Sequence, residues 1–313
     1  MVSKLSFGVT LALTSLTIAA PGQSVSKRAT DPNWPQCDKS FKAWTYDGCY
    51  AEAGVGSAFH WDSGLPSDQV TKSSCIAICK GSNFRYAGIK GADGQKTCRC
   101  TSFIETDKFV SDKGCSVPCK NGDQGGGLWS YSVFKDPTFS TFDGKTSADG
   151  YQYIGCFPDD EKRIMQYSPS MGTGGWTDMT LEKCFAACAA KGYAYAGMQY
   201  SLQCFCGGKI RADIIKGGQK PLICNMLCQG TTELKAGDRQ ICGGSWAMSC
   251  YYNPDLDTKQ RCGEEAPPES KKEPSVKAND IKTPAAASLA KATTAPPPTA
   301  VDLQTAKATS TNK

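Results

Sequence analysis

The arrangement of the cysteines constrains this chain more strongly than any other feature of its sequence. In each half, a C-x3-C pair is followed by a C-x-C pair and then by a second C-x3-C pair. Agreement of three spaced pairs in the same order is very improbable by chance, so the chain contains two copies of a module of roughly 100 residues. The first copy carries Cys49, Cys75, Cys79, Cys98, Cys100, Cys115 and Cys119, and the second carries Cys156, Cys184, Cys188, Cys204, Cys206, Cys224, Cys228 and Cys242.

The first 20 residues have the pattern of a secretory signal peptide. Lys4 precedes the apolar stretch 5–20, and small residues follow it. Lys27 and Arg28 form either a dibasic processing site, within a pro-segment over 21–31, or an incidental charge pair. We therefore expect a secreted protein, extracellular or associated with the cell wall, whose cysteines form disulfides.

The composition argues against three classes of function. Lys and Arg number 35 against 30 Asp and Glu, and this small excess is spread along the chain, whereas nucleic-acid-binding proteins concentrate positive charge on one face. The single histidine, His60, can supply neither a Ser-His-Asp arrangement nor repeated mixed zinc sites. Asp159, Asp160 and Glu161 could in principle supply an acid and base pair, but they are interpreted as residues of a solvated loop. We expect no nucleic-acid binding, no metal, no cofactor and no catalysis.

Two stretches lack the features of a packed domain. Residues 253–313 contain no aromatic residue and eight of the 17 prolines, so they cannot bury enough apolar surface to offset their ordering entropy and are predicted to form a disordered tail. Residues 136–149 are rich in turn formers and lack cysteine, which predicts a linker between module 1 (residues 32–135) and module 2 (residues 150–252). No apolar stretch is long enough for a membrane anchor.

Each module is predicted to contain one helix followed by short strands. Thr71 and Thr180 stand at N-cap positions before the first C-x3-C pair, whose two cysteines are four residues apart and share one helix face. The C-x-C cysteines are two residues apart in a strand, so both sulfurs point to one side of the sheet.

Five motifs of module 2 together resemble the WSC domain family. They are Tyr153-Ile-Gly-Cys156-Phe-Pro-Asp159, Met179-Thr180-Leu-Glu182-Lys-Cys184-Phe-Ala-Ala-Cys188, Gly192-Tyr-Ala-Tyr-Ala-Gly197-Met-Gln199-Tyr200, Cys204-Phe-Cys206-Gly and Cys242-Gly243-Gly244. Module 1 is similar to the family more loosely. The resemblance implies an α+β fold of the PAN/apple type, in which a curved antiparallel sheet is crossed by one helix in each small disulfide-rich module. It also implies a fungal extracellular module that binds carbohydrate, often the glucans of cell walls.

The resemblance implies eight cysteines in each module, and module 1 departs from that number. Gln124-Gly125-Gly126-Gly127 stands where Cys-Gly-Gly is expected, but Cys37 lies just upstream and restores the count to eight. Cys250 and Cys262 are surplus in module 2 and make an even pair. All eighteen cysteines can thus be paired, so we predict nine disulfides and no free thiol; the pairing itself stays open.

Exposed aromatic rings flanked by amides or carboxylates are the usual receptors for the faces of a sugar ring. For Tyr195, Tyr200, Phe84 and Tyr86, core packing is the favoured interpretation. For Trp61 and Trp176, in loops rich in Gly and Ser, sugar contact and core packing are open alternatives. The candidate carbohydrate-binding residues are Trp176, Tyr193, Gln199, Tyr200 and Asp178 in module 2, and Trp61 and Trp129 in module 1, where His60 and Asp62 flank the rings.

The favoured function is that of a secreted, monomeric, non-catalytic protein that binds a cell-wall polysaccharide, such as a glucan, through both modules. Two weak sites on one chain raise the avidity for a polymer. The alternative is a secreted effector, or a wall-associated structural or sensor-type protein, that binds a protein ligand.

Overall fold

The computed structural model of the protein describes residues 36–52, 59–91, 95–104, 109–119, 121–141, 148–165, 167–170, 175–262 and 271. Four predicted features lie outside the described residues: the signal peptide (1–20), the pro-segment (21–31), the processing residues Lys27 and Arg28, and the tail beyond residue 262 apart from Lys271.

Within these residues the chain forms ten strands, three α-helices and several single-turn 3-10 helices. The strands are β1 (Thr45–Ala51), β2 (Trp61–Asp62), β3 (Tyr86–Lys90), β4 (Thr97–Thr101), β5 (Phe109–Val110), β6 (Ser130–Lys135), β7 (Gln152–Pro158), β8 (Tyr195–Gln199), β9 (Gln203–Gly207) and β10 (Ala247–Tyr252). The α-helices are α1 (Lys72–Gly81), α2 (Leu181–Ala189) and α3 (Ala212–Gly217). The 3-10 helices are Ser67–Gln69, Asp112–Cys115, Ala148–Gly150, Pro221–Ile223, Gln229–Thr231, Ala236–Asp238 and Pro254–Leu256.

The two modules have the same α+β architecture, as the repeat predicts. Module 1 forms an antiparallel sheet of order β2-β4-β3-β6-β1-β5, and module 2 forms one of order β7-β10-β8-β9. The shared part is four strands in the same order, because β9-β8-β10-β7 corresponds to β4-β3-β6-β1. The register repeats too: Cys49 lies opposite Ser132, and Cys156 lies opposite Ser249. At the open edge, β5 lies beside β1 in module 1, whereas α3 packs against β7 in module 2.

One main helix packs on each sheet and begins where the sequence predicts. Thr71 caps α1 in a reciprocal capping box with Ser74, and the Thr180 hydroxyl accepts a hydrogen bond from the backbone N–H of Lys183 at 3.1 Å. Helix α1 packs against β3 and β4, and α2 packs against β8 and β9. In the described part of the chain, no helix combines the length and the apolar character that a membrane span requires.

Disulfides hold each of these helices onto its sheet. The helix cysteines of the first C-x3-C pair bond to the strand cysteines of the C-x-C pair, in the same order in both modules. A third disulfide in each module links the first strand to a later loop. The pairs are Cys75–Cys98, Cys79–Cys100 and Cys49–Cys115 in module 1, and Cys184–Cys204, Cys188–Cys206, Cys156–Cys224 and Cys228–Cys242 in module 2. The shared helix face and the shared strand face predicted from the spacing are therefore confirmed.

The prediction of nine disulfides is wrong, because eight form and two buried thiols remain. Cys119 occupies the position of Cys228, but Gly125 stands where the partner of Cys228, Cys242, stands in module 2, so Cys119 has no disulfide partner. Cys250 lies opposite Gly197 in the sheet and is fully buried, where it packs as a small apolar residue.

Cys37 does not replace the missing cysteine of module 1 but joins the two ends of the folded region. It bonds to Cys262, 225 residues away, with the two Cα atoms 5.5 Å apart. The fold therefore extends past residue 252, where the disordered tail was predicted to begin. Leu256 is buried, and the carboxylate of Asp257 accepts a hydrogen bond from the Tyr252 hydroxyl at 2.6 Å. These contacts order residues 253–262, although that segment has no aromatic residue of its own.

The predicted linker also begins inside the core. Asp136 is fully buried, its backbone N–H donates to the carbonyl of Arg85 at 2.9 Å, and its carboxylate pairs with Lys80 at 2.7 Å. The Lys80 ammonium also donates to the hydroxyls of Thr138 and Thr258. Because a buried charge must be fully paired, this network fixes the start of the linker against module 1 and against the segment that follows module 2.

The modules pack against each other through aromatic rings. His60 of module 1 stacks on Phe103, with ring centroids 5.1 Å apart, and lies 4.6 Å from the ring of Tyr167. Tyr167 in turn stacks on Tyr193, with centroids 5.3 Å apart. The side-chain amide of Asn83 donates to the carbonyl of Gly208 across the same interface. The tandem repeat is thus one packed unit.

Candidate functional site

Three of the predicted binding residues are core residues. Trp61 stacks on Phe84 with centroids 5.3 Å apart, Tyr193 is buried in the interface between the modules, and Gln199 is buried in β8. Their side chains are 8%, 1% and 3% exposed, so a ligand in solvent cannot reach them. For Trp61 the prediction fails because its loop folds back as β2 beside β4, which turns the indole inward.

The remaining predictions for module 2 lie at or near the surface. Trp176 is half-buried against the core, with the Lys183 ammonium 4.8 Å from its ring centroid. Asp178 is exposed and forms an ion pair with Lys183, which holds the pKa of that carboxyl below its usual range. Tyr200 is half-buried in a tight turn with a positive φ of 51°. Lys183 thus brings Trp176 and Asp178 together, and Trp176 and Tyr200 each present a partly accessible ring.

Trp129 is the most exposed of the predicted rings. It lies in the turn that leads into β6, and 71% of the residue is accessible. The Lys90 ammonium lies over the indole, 5.7 Å from the ring centroid, and forms an ion pair with Glu52. The backbone N–H of Glu52 donates to the carbonyl of Trp129 at 2.8 Å, which fixes the turn.

Trp246 of module 2, which the sequence reasoning missed, repeats this arrangement. It precedes β10 and is 45% exposed. The Arg163 guanidinium lies between the rings of Trp246 and Phe205, at 5.1 and 5.2 Å from their centroids, and pairs with Asp159 at 2.9 Å. The backbone N–H of Asp159 donates to the carbonyl of Trp246 at 2.9 Å, as that of Glu52 does to Trp129.

A glycine two residues before each tryptophan is required by close packing in both turns. A side chain at Gly127 would collide with the carbonyl oxygen of Gly114, and one at Gly244 would collide with that of Ile223. Both glycines form a bridge to the residue that follows the tryptophan. The matching pattern Gly-Gly-x-Trp, at 126–129 and at 243–246, was therefore the sequence signal for the second site.

The backbone of Trp246 is unusual for a bulky residue, with a φ of 51°. Such a conformation costs on the order of 1 kcal/mol for a residue other than glycine. This conformation places the indole in solvent beside Arg163.

The neighbouring carboxylates are held in ion pairs. Burial raises the pKa of Asp159, and Arg163 opposes that shift. The guanidinium of Arg211 donates to both carboxylate oxygens of Asp160 at 2.5 and 2.7 Å and holds the pKa of that group below its usual range. A carboxylate kept ionised in this way is poorly suited to act as a general acid, so Asp160 does not fit that role.

Two groups of cysteine sulfurs lie close enough to suggest a metal site. Within each group the sulfur atoms lie within 4.8 Å of one another. Every one of these sulfurs is part of a disulfide, so none is available as a thiolate ligand. The groups are Cys75, Cys79 and Cys98, and Cys184, Cys188 and Cys204.

Comparison with known proteins agrees with this architecture. A protein of Arthroderma benhamiae, described as a WSC domain-containing protein, is 26% identical over 246 residues, which are 68% of this chain and 25% of that protein. A Chaetomium globosum protein whose name includes the words "fungistatic metabolite" is 25% identical over 219 residues, or 67% of this chain and 92% of that protein. Xylosyltransferase oxt of Drosophila melanogaster is 35% identical over 101 residues, which are 31% of this chain and 10% of that protein. This chain thus spans about a quarter of the length of the Arthroderma relative and nearly all of the Chaetomium relative.

The family model for the WSC domain matches residues 46–127 and 153–244, which hold the main helix and three of the four shared strands of each module. Together these regions make up more than half of the chain. The protein therefore belongs to the WSC domain family, with two WSC modules in tandem.

Proposed function

We propose that this protein is a secreted, non-catalytic carbohydrate-binding protein that recognises a cell-wall polysaccharide, a glucan in the first instance, through Trp129 and Trp246. Membership of the WSC family indicates a cell-wall or carbohydrate-related role. The observation that carries the finer proposal is the repetition of one exposed indole, at the same turn, in both modules.

The chemistry of the two turns suits a sugar ring. An exposed indole offers a flat apolar face to the C–H groups of a pyranose, and nearby polar side chains offer partners to its hydroxyls. Lys90 and Arg163 lie over the indoles, so each ring is held in one orientation before a ligand arrives. Preorganisation of this kind reduces the entropic cost of binding.

The packing between the modules supports a polymeric ligand. Because the modules form one unit, the second site is presented at a fixed position once the first has bound. Two linked weak sites then bind a polymer more tightly than either alone. The disulfide framework suits an extracellular or wall location, where thiols are oxidised.

The test is a pull-down of the full chain with insoluble β-1,3-glucan, chitin and cellulose. Wild type is expected to be retained and to be released by soluble oligosaccharides of the bound polymer. Trp129→Ala and Trp246→Ala are each expected to weaken retention about tenfold, and the double variant to abolish it. Leu222→Ala is the matched control, because Leu222 is 89% exposed and lies outside both turns.

Retention that is unchanged in the double variant would place the site elsewhere, with Trp176 as the next ring to replace. If wild type binds none of the polysaccharides, the proposal is wrong and a protein ligand becomes the favoured alternative.

A further inference from the structure

The cation over each exposed indole comes from a different part of the module. Lys90 is the last residue of β3, whereas its counterpart in β8 is Gln199, which is buried. In module 2 the cation is Arg163, supplied by the turn after β7. Simple inheritance from a duplicated module would have kept the cation on the same strand. Both modules thus place a cation over the exposed indole, although the cation comes from different positions in the two modules.

The carboxylate, in contrast, holds the same position in both modules. Glu52 follows β1 and Asp159 follows β7, and each donates its backbone N–H to the carbonyl of the tryptophan. Each side chain forms an ion pair with the cation over the ring. Glu52 also accepts a hydrogen bond from the hydroxyl of Tyr131 at 3.3 Å, and Asp159 accepts one from the backbone N–H of Ile164 at 2.8 Å. These bonds hold the negative charge in place beside the cation.

A cation that is already paired cannot attract an acidic ligand. The net charge of each pair is zero, so a uronic acid or a phosphorylated sugar would find no free positive partner at either tryptophan. An uncharged pyranose meets the indole without this penalty. On the basis of the function proposed above, we infer that Glu52 and Asp159 are specificity-determining residues that restrict the two tryptophan sites to uncharged saccharides.

The test compares binding of the full chain to an uncharged polymer, β-1,3-glucan, and to an acidic one, cross-linked polygalacturonate, at low and high salt. Wild type is expected to prefer the glucan. In Glu52→Gln/Asp159→Asn the cations lose their partners, so binding to polygalacturonate is expected to rise about tenfold at low salt and to fall again at high salt. Glucan binding is expected to change much less.

The control is Asp68→Asn/Asp238→Asn, which makes the same change in net charge at two exposed positions away from the tryptophans. No gain in polygalacturonate binding is expected from it. Asp159 is buried, so the single variant Glu52→Gln repeats the test at the Lys90 site if the double variant does not fold.

The inference is overturned if wild type binds both polymers equally, or if the carboxylate variants gain no more acidic binding than the control. In both cases the proposed function stands, because glucan is still bound. Failure of wild type to bind either polymer would overturn the proposed function, and this inference with it.

Discussion

Replacing Cys37 and Cys262 together by serine is expected to destabilise the whole protein more than loss of a short-range disulfide. A disulfide stabilises mainly by reducing the entropy of the unfolded chain, and the effect grows with the length of the loop that it closes. Cys37 and Cys262 are 225 residues apart, but Cys49–Cys115, Cys156–Cys224 and Cys228–Cys242 shorten the path between them. The effective loop is about 80 residues, for which the chain-entropy relation gives about 4.5 kcal/mol at 25 °C.

The matched control is the double variant Cys228→Ser/Cys242→Ser. That disulfide closes a loop of 14 residues, for which the same relation gives about 3 kcal/mol. The assay is urea unfolding at 25 °C without reductant, followed by tryptophan fluorescence and by circular dichroism so that a two-state transition can be checked. Coincident transitions in wild type would show that the two modules unfold together.

The expected result is a lower free energy of unfolding in both variants, with the larger loss, by about 1.5 kcal/mol, in the variant that lacks the long-range disulfide. An equal or smaller loss in that variant would refute the reasoning, because the ends of the folded region would then be held together without the covalent link.

Three further predictions follow from the buried groups. Burial shields the thiols of Cys119 and Cys250 and raises their pKa values, so without reductant a thiol reagent is expected to modify no cysteine in the native protein. After unfolding it is expected to modify both. No modification after unfolding would mean that a ninth disulfide is present. Burial lowers the pKa of His60 to about 4 from 6.5, so its contribution to stability is complete above pH 6.5 and falls as the pH drops towards 4. His60→Gln is therefore expected to flatten the pH dependence of the free energy of unfolding in that range. An unchanged slope would contradict this. Lys80→Met leaves the carboxylate of Asp136 buried without its ion-pair partner and is expected to lower the free energy of unfolding by about 3–5 kcal/mol. The double variant Lys80→Met/Asp136→Leu should recover most of that loss in thermal melts. If the double variant is as unstable as the single one, the unpaired charge is not the cause.

The duplicated fold could be predicted from the sequence because its signals are local. Thr71 and Thr180 cap helices, and the spacing of the C-x3-C and C-x-C pairs fixes which face each sulfur occupies. These features depend on backbone geometry within a few residues, so they are the same in any packing. The disulfides between helix and strand then follow as soon as the helix lies on the sheet.

The candidate site was predicted only in part. The sequence alone pointed to Trp129, and comparison of Gly-Gly-x-Trp in the two modules could have added Trp246. The exposure of the rings was not readable from the residue types, since Trp61 and Trp129 are both tryptophans near glycines and yet differ ninefold in exposure. Burial depends on what distant strands and loops place over a ring.

The sequence by itself determined the repeated cysteine pattern and the helix in each module. Only the tertiary structure decided that Cys37 pairs with Cys262, that Cys119 and Cys250 stay unpaired, and that the segment 253–262 is folded. The physical reason is one of range: caps, turns and face periodicity are set by neighbours in the chain, whereas pairing and burial depend on which residues the packed modules bring together.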